Sequence, residues 1–236
     1  MLQLLIPILT LMLSQQSAGR VQNLVFQTSE VQPVLYGLSM PARYDPKDPR
    51  PLILALHPGG ERMPYYGSAF MRQVVLPALG PLDPIIIAPD CPTRSWADPA
   101  SDRAVLALIE HTLSRYSIDR RRILVVGFSL GGRGTWFMAS HHPEIFTAAI
   151  PMAASIGDEP VERLGTMPTY IIHSEDDEVV PFEPAERNAR QLEKLGRPVH
   201  FEALSGIGHF AMGGYIDSLR RAGRWVAERW TKQIKN

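Results

Sequence analysis

The chain has 236 residues, 45% hydrophobic and 20% charged, which suits one globular domain with a sizeable core. Its 24 basic and 24 acidic side chains cancel, so neither a basic nucleic-acid-binding face nor a like-charged tail is indicated. The single cysteine, Cys91, rules out an intrachain disulfide and a thiolate zinc cluster.

Leu2 to Leu13 is almost wholly apolar and is followed by the small, polar run Ser14 to Gly19. This has the form of a secretory signal peptide, although no Lys or Arg precedes the apolar stretch. Pro7 interrupts the stretch, which is too short to span a membrane. The expectation is a leader over residues 1–19, a single domain over 20–236, and a secreted or periplasmic mature protein without stable membrane insertion.

Two β-like runs follow, Asn23 to Thr28 and Pro33 to Met40, then a turn-rich connection from Tyr44 to Arg50. Pro51 to His57 is continuously apolar, as is Ile85 to Ala88, the pattern of strands covered on both faces. Between them, Glu61 to Gly80 reads as a modest insertion. Asp102 to Tyr116 has helical spacing, with Val105, Leu106, Ile109 and Leu113 on one face. Arg120-Arg121-Arg122 reads as a solvated turn before a strand at 123–126. A helix over 131–142, strands at Ala148 to Met152 and Thr169 to His173, and a helix from Glu183 to Leu195 come next. Val199 to Leu204 is the last strand and Tyr215 to Trp230 the last helix. Strands alternating with helices predict an α/β fold: a mostly parallel central sheet with helices on both faces.

The most informative motif is Gly127-Phe128-Ser129-Leu130-Gly131-Gly132, a G-x-S-x-G between a strand and a helix. In that setting it reads as a nucleophile elbow. The turn would lift the Ser129 hydroxyl to the open end of the sheet. It would also aim the Leu130 N–H, at a helix N-terminus, toward a forming oxyanion.

In such sheets functional groups collect at the carboxyl ends of strands. Two further segments fall there. After the strand at 169–173 comes Ser174-Glu175-Asp176-Asp177-Glu178, where Asp177 is the preferred carboxylate and Glu175 and Asp176 stay open as alternatives. After the strand at 199–204 comes Gly206-Ile207-Gly208-His209. Of seven histidines, His209 alone joins a strand-end loop to the last place in the order Ser, Asp, His. A third segment, Leu56-His57-Pro58-Gly59-Gly60, ends an early strand, and the amides around Gly59 and Gly60 are candidates for a second oxyanion donor.

With these segments the chain resembles small α/β-hydrolases of the esterase and predicted-peptidase group, near the polyhydroxybutyrate-depolymerase-like and phospholipase/carboxylesterase-like enzymes. The likeness runs roughly from Val31 to Trp230 and is carried by Leu56 to Gly60, Gly127 to Gly132, Thr135-Trp136, His142 to Phe146, His173 to Pro181 and Gly208-His209. It implies the α/β-hydrolase fold, with nucleophile, acid and base at Ser129, Asp177 and His209. Pro58 stands where relatives commonly carry glycine, and Ser174 replaces a glycine after His173.

The expected reaction is acyl transfer from a carboxylic ester through an acyl-Ser129 intermediate, with no cofactor and no metal. Tyr65, Tyr66 and Trp96 are candidate pocket walls. The connection from Pro151 to Met167 leaves no room for a large cap domain, so short-chain or carbohydrate esters are the expected substrates. A serine peptidase on the same triad and a non-catalytic binding protein on the same fold are the alternatives. A dienelactone-hydrolase-like enzyme would normally carry cysteine where this chain has Ser129.

Overall fold

The apolar runs pair into one twisted layer. In the computed structural model, which describes residues 21–27, 31–157 and 159–235, eight strands form a sheet. They are β1 (Gln22–Phe26), β2 (Val34–Ser39), β3 (Arg50–Leu56), β4 (Ile85–Pro89), β5 (Ile118–Phe128), β6 (Ala148–Met152), β7 (Thr169–Ser174) and β8 (Val199–Leu204). Their order is β1-β2-β4-β3-β5-β6-β7-β8. β1–β2 and β2–β4 pair antiparallel, and every pair from β4–β3 to β7–β8 is parallel. The expected leader lies outside the described residues.

Side chains alternate across a strand, so β3 feeds two cores. Leu52, Leu54 and Leu56 face one, with α3 (Pro99–Arg115), α4 (Leu130–His141) and α5 (Phe182–Lys194). Ile53 and Ala55 face the other, with α1 (Tyr66–Phe70), α2 (Leu76–Leu79) and α6 (Ile216–Lys235). Each central strand is therefore apolar on both faces, which explains its unbroken apolar sequence.

Two local expectations need correction, and the insertion has structure of its own. The stretch from Glu61 to Gly80 is largely helical: a π turn, Met71–Val75, joins α1 to α2. That turn and Pro77 break the helical period that would have revealed it. Arg120-Arg121-Arg122 lies inside β5, not in a turn before it. Arg121 and Arg122 pair with Asp119, and Arg122 also donates to the Pro49 carbonyl (2.7 Å), so this exposed half of the strand can carry charge. Helix α3 starts at Pro99, ahead of the expected Asp102, because Asp98 caps it by accepting from the Ala100 N–H (2.8 Å) and proline suits the first helical position.

Candidate active site

β5 ends at Phe128 and α4 begins at Leu130, so Ser129 makes the turn by itself. It adopts φ 54° and ψ −113°, a backbone region that L-residues rarely enter. Such a conformation costs about 1–3 kcal/mol and persists only where its surroundings over-determine it. Here the Ser129 N–H donates to the Met152 carbonyl and its own carbonyl accepts from the Arg133 N–H, both at 2.9 Å. The neighbouring glycines pack directly on β3. A Cβ on Gly127 would stand 2.8 Å from the Leu56 carbonyl oxygen, and one on Gly131 2.6 Å from the Leu56 carbonyl carbon. The hydroxyl is left half-buried at the carboxyl end of the sheet.

Two loops from the far half of the sheet reach it. The His209 Nε2 lies 2.9 Å from Ser129 Oγ, and its Nδ1 lies 2.8 Å from Asp177 Oδ2. An ionised carboxylate only accepts, so Nδ1 carries the proton and Nε2 is free to accept from the serine hydroxyl. The Asp177 side chain is fully buried. Burial alone would raise its pKa, but the His209 imidazole and the N–H groups of Val180 and Val179 outweigh it and hold the carboxyl below the ordinary value. Those two amides donate to Oδ1 at 2.7 and 2.9 Å, which leaves Oδ2 for the imidazole.

The acidic run does more than supply one carboxylate. Asp176 accepts the Gly206 N–H (2.5 Å) and Glu178 accepts the His209 backbone N–H (2.9 Å). Consecutive residues thus hold three different hydrogens of the histidine loop, while Glu175 is exposed. The roles of Asp176 and Glu178 were not singled out from the sequence; the signal was the unbroken acidic run at a strand end. His173, also buried, stands behind Asp177 with Nε2 3.1 Å from the Val180 carbonyl oxygen and 3.5 Å from Asp177 Oδ2. Burial pushes its pKa down. Phe128 packs beside the His209 ring at 5.2 Å.

On the other side, the β3–α1 loop places Gly59 next to Leu130: a Cβ on Gly59 would sit 3.6 Å from the Leu130 Cβ. A cavity of about 840 Å³ opens here, with His57, Gly59, Gly60, Tyr66 and Leu130 among its walls. Tyr65 is not among them; it precedes α1 and its N–H donates to Asp90 (2.6 Å). Trp96 is not a wall either. It is only 1% exposed, and its indole N–H donates to the His57 carbonyl (3.2 Å), so it is core beneath the loop. Among the described residues, no group of three or more His, Cys, Asp or Glu side chains is placed to hold a metal ion, and no helix is long and apolar enough to cross a membrane.

The chain as a whole has counterparts among known proteins. A model of the PET hydrolase-like family matches residues 89–198, a span that includes Ser129 and Asp177 and ends before His209. A crystal structure of a thermostable esterase superposes with a TM-score of 0.76 at 30% identity, covering 88% of this chain and 62% of that one. The chain has the fold of the α/β-hydrolases and is similar to esterases. Among curated relatives, a probable feruloyl esterase C of Aspergillus niger is 26% identical over 63% of this chain and 56% of its own length. A putative carboxymethylenebutenolidase of Salmonella typhi is 28% identical over 57% and 53%. The chain spans about half the length of these curated relatives.

Proposed function

We propose that this α/β-hydrolase cleaves carboxylic esters with Ser129 as nucleophile, His209 as general base and acid, and Asp177 as the group that orients and charges-balances the imidazole. One observation carries the proposal: a hydroxyl, an imidazole and a buried carboxylate in line, at 2.9 and 2.8 Å. His209 Nε2 takes the hydroxyl proton as Ser129 Oγ bonds to the ester carbonyl carbon. The electron pair moves to the carbonyl oxygen, which the Leu130 N–H and an amide of the Gly59–Gly60 loop stabilise. The pair then returns, the C–O bond to the alcohol breaks, and His209 gives the leaving oxygen its proton. Water repeats the sequence on the acyl-Ser129 intermediate and releases the acid.

The site is open. Among its described residues, the connection between β6 and β7 contains one short 3₁₀ turn, Val161–Leu164, and no cap domain. That favours short-chain esters or esterified carbohydrates, and relatives named feruloyl esterases put feruloyl esters in the same set. We place the catalytic domain at 20–236, exported after loss of the leader.

The test is hydrolysis of p-nitrophenyl acyl esters, acetylated and feruloylated sugars, and peptide anilides by the wild type and Ser129→Ala. Ester turnover is expected, and Ser129→Ala should lose about 10³-fold or more of it. A folded Ser129→Ala variant with near-normal turnover would refute the proposal. Anilides cleaved faster than esters would move the assignment to a peptidase.

A further inference from the structure

Pro58 lacks an N–H, which leaves the amides of Gly59 and Gly60 as partners for Leu130. The structure separates them. Three consecutive carbonyls in this loop are each held by a side-chain donor. Trp96 Nε1 donates to the His57 carbonyl (3.2 Å), His57 Nδ1 to that of Pro58 (2.6 Å) and the Tyr66 hydroxyl to that of Gly59 (3.4 Å). The His57 tautomer follows from its other bond. The Cys91 backbone N–H donates to Nε2 (2.9 Å), and an amide cannot accept there, so the ring proton sits on Nδ1. His57 is buried between the rings of Tyr66 (4.5 Å) and Trp96 (5.1 Å). Burial lowers its pKa, which keeps this neutral form.

A trans peptide points its C=O and N–H in opposite directions. With the Pro58 carbonyl turned to the His57 ring, the Gly59 N–H points away from it. Neither that N–H nor the one of Gly60 has an acceptor among the described residues. Gly59 is the one beside Leu130, whereas the side-chain position of Gly60 faces the Tyr66 hydroxyl (3.4 Å).

We infer that His57 is a positioning residue that turns the Pro58–Gly59 peptide so that the Gly59 N–H, together with that of Leu130, binds the oxyanion. The inference rests on the proposed ester hydrolysis and adds which amide acts and what aims it. The hydrogen bonds of the His57 ring go to the Pro58 carbonyl and the Cys91 N–H, not to Ser129, so it acts through the peptide it holds.

A sulfur in place of the carbonyl oxygen is a poorer acceptor, so a thionoester gains less from an oxyanion hole than its oxygen counterpart. The experiment compares p-nitrophenyl acetate with its thionoacetate in wild type, His57→Ala, His57→Asn and Ser129→Ala. One oxyanion donor is worth about 10²–10³ in kcat. His57→Ala should therefore lower kcat on the oxygen ester about 10-fold or more, leave KM within about threefold, and shrink the oxygen-to-sulfur preference about 10-fold. His57→Asn keeps an amide donor near the Nδ1 position and should recover most of both. Unchanged kcat and preference in folded His57→Ala, or a change in KM alone, would overturn the inference. If His57→Ala does not fold, His57→Asn decides: a near-wild-type preference supports it, and a collapsed preference overturns it. Hydrolysis lost in Ser129→Ala but normal in His57→Ala would sink this inference alone. Hydrolysis that survives Ser129→Ala would sink both proposals.

Discussion

Gly134→Ala tests how the oxyanion loop is supported from below. Gly134 lies in the first turns of α4, and a Cβ there would stand 2.6 Å from both Cβ and Cγ of Trp96. Ordinary carbon contacts are about 3.5–4.0 Å, so helix and indole must separate by about 1 Å. Trp96 cannot swing into solvent: it is 1% exposed, bonded through Nε1 to the His57 carbonyl and packed edge-on against the His57 ring. Overpacking of this kind costs about 1–3 kcal/mol. At about 2–4 °C per kcal/mol for a chain of this size, the midpoint of thermal unfolding should fall about 4–8 °C for a cost near 2 kcal/mol. The displaced indole also pushes the loop that carries Gly59, and misplacements near 1 Å can cost about 10²-fold in rate. With the shift shared among several groups, kcat on p-nitrophenyl acetate should drop about 10-fold. Gly80→Ala is the control, because nothing lies within 4 Å of a Cβ there and φ is −51°. Calorimetry and steady-state kinetics on both variants decide the matter. A Gly134→Ala protein that melts and turns over like the wild type would show that Trp96 is not the support described.

Asp177→Asn should leave the protein folded yet cut kcat by about 10⁴-fold, since the amide favours the wrong His209 tautomer; single-turnover kinetics would read it, and a loss under tenfold would contradict the role. Glu178→Ala removes the acceptor for the His209 backbone N–H and should lower kcat with little change in KM, whereas Glu178→Gln, which keeps a side-chain acceptor, should recover most of it. Equal kinetics in all three proteins would show that the bond is idle. The Glu202 carboxyl is raised by burial but lowered more by Arg221 and Tyr170, leaving it below its ordinary value. A depressed folded-state pKa stabilises above the unfolded value and is lost as pH falls through the folded one. Urea unfolding from pH 7 down to pH 3 should therefore show a smaller acid-side loss in Glu202→Gln than in wild type; parallel curves would refute this.

Much of the frame was legible because burial on both faces writes itself as unbroken apolar sequence. Ile85 to Ala88 and Ala148 to Met152 needed no partner to be read as strands, and the observed elements match them within a residue. The strand–turn–helix setting of Ser129 was legible because the glycines at 127 and 131 are demanded by close backbone contact with each other and with β3, a requirement that leaves a mark in the residue types. Trp96 was misjudged because an aromatic after a strand end looks the same whether it lines a cavity or plugs the core. Contacts distant in sequence, with Gly134 and with the His57 carbonyl, separate the two. The acidic run after β7 showed that a carboxylate was at hand, but which hydrogen each acid takes depends on how the histidine loop folds back across it. The oxyanion amide was open for a similar reason: peptide orientation is set by His57, Trp96 and Tyr66 together, and no local pattern records that.

The most direct measurement is site mapping of a fluorophosphonate adduct. Folded wild-type protein should gain one phosphonyl group, found by peptide mass spectrometry on Ser129, and the same protein denatured in urea should gain none. Failure of the native protein to react, or attachment to any residue other than Ser129, would contradict the claim that this hydroxyl is the activated nucleophile.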